Sequence, residues 1–272
     1  MTGTLATIAV RLFYARLSRR LFTNLWYATV GTLDKNCEVT FLNYGFAYLN
    51  NYKIPLNQED EFDRYPIQLY HRVTSGVSLK GKDVLEVGCG RGGGASYIAR
   101  YLHPSKMTAI DICKPAIRFA TLHYAQQHNL EFRIADAQKL PFPNDSFDAL
   151  ISIETAHHYP DMTRFLNEAH RVLRPGGSFL MACFEDPHKK VFPREALHRS
   201  NLRRITESDI TPNVVSALTI DSPRRQMLAR KLCPRLLGRL PQEFAGLPGT
   251  ELYNSFASGR YPYFYFRYLK EP

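Results

Sequence analysis

The sequence predicts an α/β fold, a largely parallel sheet flanked by helices. Three observations carry that reading. Short apolar runs at residues 84–87, 107–111 and 149–153 alternate with stretches of helical periodicity. An unbroken glycine turn follows the first run. An acid sits at or beside the end of each of the first three predicted strands: Glu86, Asp111 and Asp136.

The first unit spans residues 82–101, KDVLEVGCGRGGGASYIARY. Val84, Leu85 and Val87 read as a buried strand. Gly88, Gly90, Gly92, Gly93 and Gly94 form the turn. Ala95, Ile98, Ala99 and Leu102 then fall at helical spacing until Pro104. Glycine lacks a Cβ, so the backbone can bend sharply and approach a ligand. Gly88, Gly90 and Gly93 satisfy G-x-G-x-x-G, which leaves a dinucleotide open. Glu86, two residues before the first glycine, suits instead a cationic ligand end such as the amino group of a methionine moiety. This E-x-G-x-G-x-G run resembles motif I of the class I S-adenosylmethionine (SAM) methyltransferases. The resemblance implies SAM as cofactor and a Rossmann-like, seven-stranded sheet.

The second strand ends at Asp111, and Lys114–Pro115 opens a helix running to about residues 128–129; proline is tolerated in the first turn. An acid at that strand end can accept hydrogen bonds from both ribose hydroxyls of either cofactor. The third strand exits at Asp136–Ala137, followed by L-P-F, S-F-D and a fourth strand at residues 149–153. H-R-V-L-R-P-G-G then reads as helix, turn and fifth strand, with Gly176 stopping the helix. These pieces resemble motifs II and III and the following elements of the same family. By that resemblance Asp136 accepts from the adenine amino group, the Ala137 backbone contacts the ring, and Ile112 and Ile153 belong to the cofactor pocket.

The fourth strand leads into Glu154-Thr155-Ala156-His157-His158-Tyr159-Pro160. Strand carboxyl ends line the ligand crevice of open α/β sheets. Methyl transfer from a sulfonium needs an acceptor held in line, and orientation supplies much of the rate. A hydroxyl acceptor also needs a base, commonly histidine. His157 is the first candidate and His158 the second; the pair can also merely hydrogen-bond a lid. Glu154 can orient a histidine or meet the methionine end of the cofactor. The absence of N-P-P-Y and D-P-P-Y speaks against adenine or glutamine N-methylation. V-T-F-L-N-Y, Q-L-Y-H-R, L-E-V-G-C-G-R-G-G-G-A-S-Y and E-T-A-H-H-Y-P resemble the mycobacterial phthiotriol/phenolphthiotriol dimycocerosate methyltransferases. That resemblance implies O-methylation of a lipid or secondary-metabolite hydroxyl, with His157 as base. The basic stretch 185–204 and the N-terminus depart from the pattern, so the particular lipid does not carry over.

At 272 residues the chain can hold one large α/β core with lids. A formal charge of +10 fits an anionic partner or membrane surface, and equally a plain basic enzyme. Five scattered cysteines without C-x-x-C show neither disulfide framework nor metal site and fit a reducing, cytoplasmic compartment. Residues 5–30 read as an amphipathic helix interrupted by Arg11, Arg16, Arg19 and Arg20, too polar to span a bilayer. It can rest on a membrane surface or close over the site. Residues 38–78 are irregular and aromatic. Gln58 to Asp63 reads as a solvated acidic loop, and residues 67–77 as a helix carrying Tyr70 and His71, which either close over the cofactor or pack and face solvent. The expected division is a lid at 1–78, a SAM-binding core at 79–184, an inserted lid at 185–224 and a sheet-completing part at 225–272. Within the tail, residues 193–204, 208–218 and 251–257 read as helices, 224–240 as a helix broken at Pro234, and 261–270 as the last strand. The sequence thus favours a SAM-dependent O-methyltransferase acting on a hydrophobic small molecule or lipid. Carbon methylation of a prenyl or sterol-like chain is the alternative. An RNA methyltransferase is disfavoured by the lack of an RNA-binding module, and a non-catalytic SAM-fold subunit is the remaining rival. Oligomeric state is not legible.

Overall fold

A computed structural model describes residue 34 and residues 38–187, 193–232 and 240–272. The amphipathic stretch at residues 5–30 lies outside them. Five strands run parallel: β1 (Asp83–Val87), β2 (Lys106–Asp111), β3 (Leu130–Ile134), β4 (Phe147–Ile153) and β5 (Leu173–Phe184). With β6 (Arg203–Asp209) and β7 (Tyr263–Leu269) the sheet has seven strands in the order β3-β2-β1-β4-β5-β7-β6. β7 runs antiparallel to both neighbours. The helices are α1 (Arg64–Thr74), α2 (Gly93–Tyr101), α3 (Lys114–His123), α4 (Met162–Val172), α5 (Pro193–His198), α6 (Thr211–Ile220), α7 (Ser222–Leu232), α8 (Leu240–Phe244) and α9 (Glu251–Ala257).

The central strands are continuous apolar runs because both faces are covered. Successive residues point to opposite faces. Val84, Ile151 and Leu180 pack with Ile67 of α1, Ile98 of α2 and Val214 of α6. Leu85, Leu150 and Phe179 pack on the other side with Phe165, Leu166 and Ala169 of α4. Asp161 caps α4 by accepting from the Arg164 amide at 3.0 Å. The strand order turns between β1 and β4, so the crevice opens where β1, β2 and β4 end.

Several boundaries differ from the sequence expectation. α1 begins at Arg64, so Pro66 sits inside its first turn, where a missing N–H has no intrahelical partner to lose. α3 stops at His123 rather than near residue 128. α4 ends at Val172, not at Gly176, because Leu173 is already extended and pairs with Phe147. The helices expected at residues 193–204 and 208–218 give way to α5, β6 and α6, so the stretch 185–224 contains a sheet strand. β6 is an edge strand, R-R-I-T-E-S-D, and its charged residues hide the apolar alternation that marks a strand. The acidic stretch Gln58–Asp63 forms a 3₁₀ turn and is more than a solvated loop. Asp60 is buried against Arg100, and Asp63 accepts from Arg224 at 2.9 Å. Among the described residues no helix is long and apolar enough to cross a membrane.

Candidate active site

The crevice is floored by the exits of β1, β2 and β4 and roofed by α1 and the aromatic segment 38–56, here called the strap. Glu86, in β1, is fully buried. Its Oε1 accepts from the Tyr70 hydroxyl at 2.6 Å, while Oε2 is buried with no hydrogen-bond partner. Burial pushes the Glu86 carboxyl up to about 7; the Tyr70 hydrogen bond opposes this and the Asp111 charge adds to it. A buried carboxylate oxygen without a donor fits an incoming ammonium group.

Tyr70 reaches Glu86 across the glycine turn. A Cβ at Gly94 would stand 1.8 Å from the Tyr70 ring, so this glycine makes room for a tyrosine and not for a ligand. Gly88, with φ +82, likewise leaves space for Thr155, whose side chain lies 2.2 Å from the missing Cβ. Thr155 joins Ser152 at 2.7 Å and Tyr159 at 2.8 Å, tying the β4 exit to the end of β1. Gly90 sits in the left-handed region, and its amide donates to Asp111 Oδ2 at 2.9 Å. Asp111 Oδ1 accepts from the Cys113 amide at 2.8 Å. Asp111 therefore shapes the loop. Burial raises its pKa, against three backbone amides that lower it.

The other expected cofactor residues lie along the same sheet edge. Ile112 is 49% exposed just beyond β2, an apolar side chain left open at the crevice. Asp136 is exposed beyond β3 and accepts from the Gln138 amide at 2.9 Å, with Ala137 buried beside it. Ile153 is buried at the end of β4. His71 is not brought to Glu86; its Nδ1 pairs with the Tyr48 hydroxyl at 2.8 Å. It packs against the strap, a role other than the surface or cofactor-closing position expected for it.

The β4 exit builds the other half. Glu154 has φ +55, a left-handed backbone rare for glutamate. Its Oε1 accepts from the Tyr44 amide at 2.7 Å and from the Tyr263 hydroxyl at 2.8 Å. Burial pushes Glu154 up to about 7, opposed by those two donors and by Arg225. His157 and His158 occupy a 3₁₀ turn with ring centroids 4.0 Å apart. His157 faces Phe184 at 4.9 Å, and Phe184 packs in turn on Tyr44, Phe256, Tyr261 and Tyr263. His158 is exposed. Tyr44, Tyr263 and Arg91 escape sequence reasoning. Arg91, inside the glycine run, forms a buried pair with Asp34 at 2.7 Å.

A family profile described as a methyltransferase domain matches residues 85–181. The chain is 36% identical over 247 residues to the phthiotriol/phenolphthiotriol dimycocerosates methyltransferase of Mycobacterium leprae (strain TN), covering 90% of this chain and 91% of that one. The chain belongs to the class I SAM-dependent methyltransferases. The fatty-acid O-methyltransferase of Mycolicibacterium smegmatis is also 36% identical, over 87% of this methyltransferase and 85% of its own length. The crystal structure of geranyl diphosphate C-methyltransferase from Streptomyces coelicolor A3(2), determined with S-adenosyl-L-homocysteine, shares the fold at TM-score 0.65 and 15% identity, covering 88% and 91% of the two chains. SAM is the cofactor of this methyltransferase, and the dinucleotide reading of its glycine turn falls away.

Gly94→Ala is expected to destabilise the methyltransferase by about 1–3 kcal/mol, because the added methyl must displace the Tyr70 ring. Thermal unfolding, compared with Gly76→Ala, whose backbone is not left-handed and whose Cβ would come no nearer than 3.2 Å to the mobile end of Arg267, measures the difference.

Proposed function

We propose that this methyltransferase transfers a methyl group to an oxygen, a hydroxyl in the first instance, of a lipid-like acceptor, with His157 as base. The ring cluster of Phe184, Phe256, Tyr261, Tyr263 and Tyr44 beside His157 carries the proposal. It is an apolar wall next to a titratable nitrogen at a strand exit. Phe184, Phe256, Tyr261 and Tyr263 are buried here, so an alkyl chain reaches them only as the rings above them part, and it then gains roughly 25 cal/mol per Å² of apolar surface it covers. The curated relatives named for a dimycocerosate lipid and for a fatty acid support the same acceptor class.

When bound, SAM supplies an electrophilic methyl on a sulfonium. Glu86 would receive its ammonium group, Asp111 would meet the ribose hydroxyls, and Asp136 with Ala137 would frame the adenine. His157 takes the hydroxyl proton as the oxygen becomes nucleophilic. His158 packs on it and restricts the ring. The strap and Tyr70 exclude water from the crevice.

A second reading is carbon methylation. Glu154, a partly buried carboxylate between the Tyr44 and Tyr263 rings, is the acid-and-cage arrangement that reaction requires. Product analysis separates the two. Incubation with methyl-tritiated SAM and a long-chain secondary alcohol is expected to give a methyl ether. His157→Ala is expected to lower kcat on the alcohol about 10²–10⁴-fold with the Kd for SAM unchanged. A fatty carboxylate, already ionised, needs no base, so its rate should fall far less. Equal, undiminished turnover of the alcohol by the variant removes His157 from the mechanism, and a new carbon–carbon bond in the product replaces the oxygen reading.

A further inference from the structure

We propose that Glu154 is a positioning residue, the latch that holds the strap over the crevice and thereby completes the acceptor wall only once the cofactor side is covered. The inference rests on the reading of the ring cluster as acceptor wall.

The strap is bound to both halves of the site. Over the glycine turn, the Gly93 amide donates to Thr40 O at 3.2 Å, and a Cβ at Gly93 would lie 2.7 Å from that same oxygen. Phe41 packs edge-on against Tyr70 at 5.9 Å. Over the acceptor half, the Tyr44 amide donates to Glu154, and the Tyr44 ring lies 5.3 Å from Phe256 and 6.1 Å from Phe184. One residue therefore carries both the latch bond and part of the acceptor wall. Releasing Tyr44 from Glu154 loosens the strap between its Thr40 and Phe46 anchors and shifts a ring of the wall.

Glu154 is built to be held still. Its amide donates to Ala182 O of β5 at 2.8 Å, and its left-handed backbone persists because the surroundings impose it. The Tyr263 hydroxyl steadies the same carboxylate oxygen that receives Tyr44. The strap is the movable partner. Residues 38–48 form neither helix nor strand, so their amides rely on scattered acceptors such as Glu154 and Asn213 O. Val39, Phe46 and Ala47 are buried and hold the two ends of the segment, so the stretch around Tyr44 is the part that a lost bond loosens. Asn43 O is bound by Arg225 at 2.7 Å, which gives the strap a hinge-side anchor independent of Glu154. In this closed arrangement the cofactor reaches the glycine turn only when the strap lifts. SAM is then the first ligand to bind, and the acceptor meets a finished wall afterwards.

Hydrogen exchange of the peptide covering residues 40–47, read by mass spectrometry in the full-length protein, tests the latch. In the wild type, saturating SAM is expected to slow exchange there about tenfold or more. Glu154→Ala should exchange faster without ligand and lose the SAM-induced slowing, and stopped-flow release of SAM should accelerate by a similar factor. Glu154→Gln, whose carbonyl oxygen still accepts the Tyr44 amide, should recover part of both effects and supplies the readout should the alanine variant fold poorly. Wild-type exchange in both Glu154 variants overturns the latch, and so does a wild-type strap indifferent to SAM when calorimetry shows SAM bound. Absence of any SAM heat with the wild type would instead overturn the cofactor site itself, and the latch with it.

Discussion

Arg91→Ala is expected to destabilise the fold by about 3–5 kcal/mol, the range for breaking one side of a buried ion pair. Arg91 and Asp34 are almost completely shielded from solvent, with side chains 2% and 1% exposed. Asp34 also accepts from the Glu38 and Val39 amides at 2.9 and 3.0 Å, so the pair pins the start of the strap to the glycine turn. The guanidinium lies 3.5 Å from the centre of the Phe119 ring, adding a cation–π contact on α3. Removing Arg91 leaves a buried carboxylate whose remaining donors are neutral amides. The midpoint of thermal unfolding should fall by on the order of 10 °C in a protein of this size. Replacing both partners together, Arg91→Met with Asp34→Asn, whose carbonyl oxygen still accepts a strap amide, should recover part of the loss, because the desolvation of two charges is removed with their attraction. A double variant no more stable than Arg91→Ala alone counts against the ion pair as the source of the effect.

What was legible in the sequence follows from how each element is buried. β1, β2 and β4 are apolar on both faces, and such runs announce themselves without any partner in view. Glu86, Asp111, Asp136 and the β4 exit were legible for the same reason, since each is placed by counting along a strand. The roles of neighbouring residues were not. Gly88 and Gly94 answer to Thr155 and Tyr70, which lie 67 and 24 positions away in the chain and meet only in the fold. Arg91 reads as a loop cation until Asp34 is seen against it. Tyr263 reads as one residue of an aromatic strand until its hydroxyl is found on Glu154. β6 was missed because an edge strand facing water carries charges where a central strand carries valine or leucine. Asp60 and Asp63 read as solvated in the sequence because arginine partners 40 and 161 residues away leave no local signal.

Glu86→Gln is expected to weaken SAM about 100-fold, since an uncharged amide replaces the carboxylate proposed to face the cofactor's ammonium, a substitution that costs on the order of 2–5 kcal/mol at a buried charge pair. The wild type should also show a pH dependence that the variant lacks. Without ligand, burial holds the Glu86 carboxyl at about 7, above its ordinary value of 4.5. The fold therefore favours the protonated form. Its contribution to stability is fully present below pH 4.5 and is lost as the pH rises toward 7, amounting to about 3 kcal/mol. An ammonium group placed against Oε2 reverses the balance by favouring the ionised carboxylate. SAM binding below pH 7 must then expel a proton from Glu86. Affinity should rise by up to about tenfold per pH unit between pH 5 and 7 and level off above it. Calorimetry in two buffers of different ionisation enthalpy counts the proton directly. Nearly one should be released at pH 6, very little at pH 8, and none at either pH for Glu86→Gln. A wild type whose SAM affinity is flat from pH 5 to 8, with no proton released, places the ammonium elsewhere in the crevice. Glu86 would then serve only to anchor Tyr70 over the glycine turn.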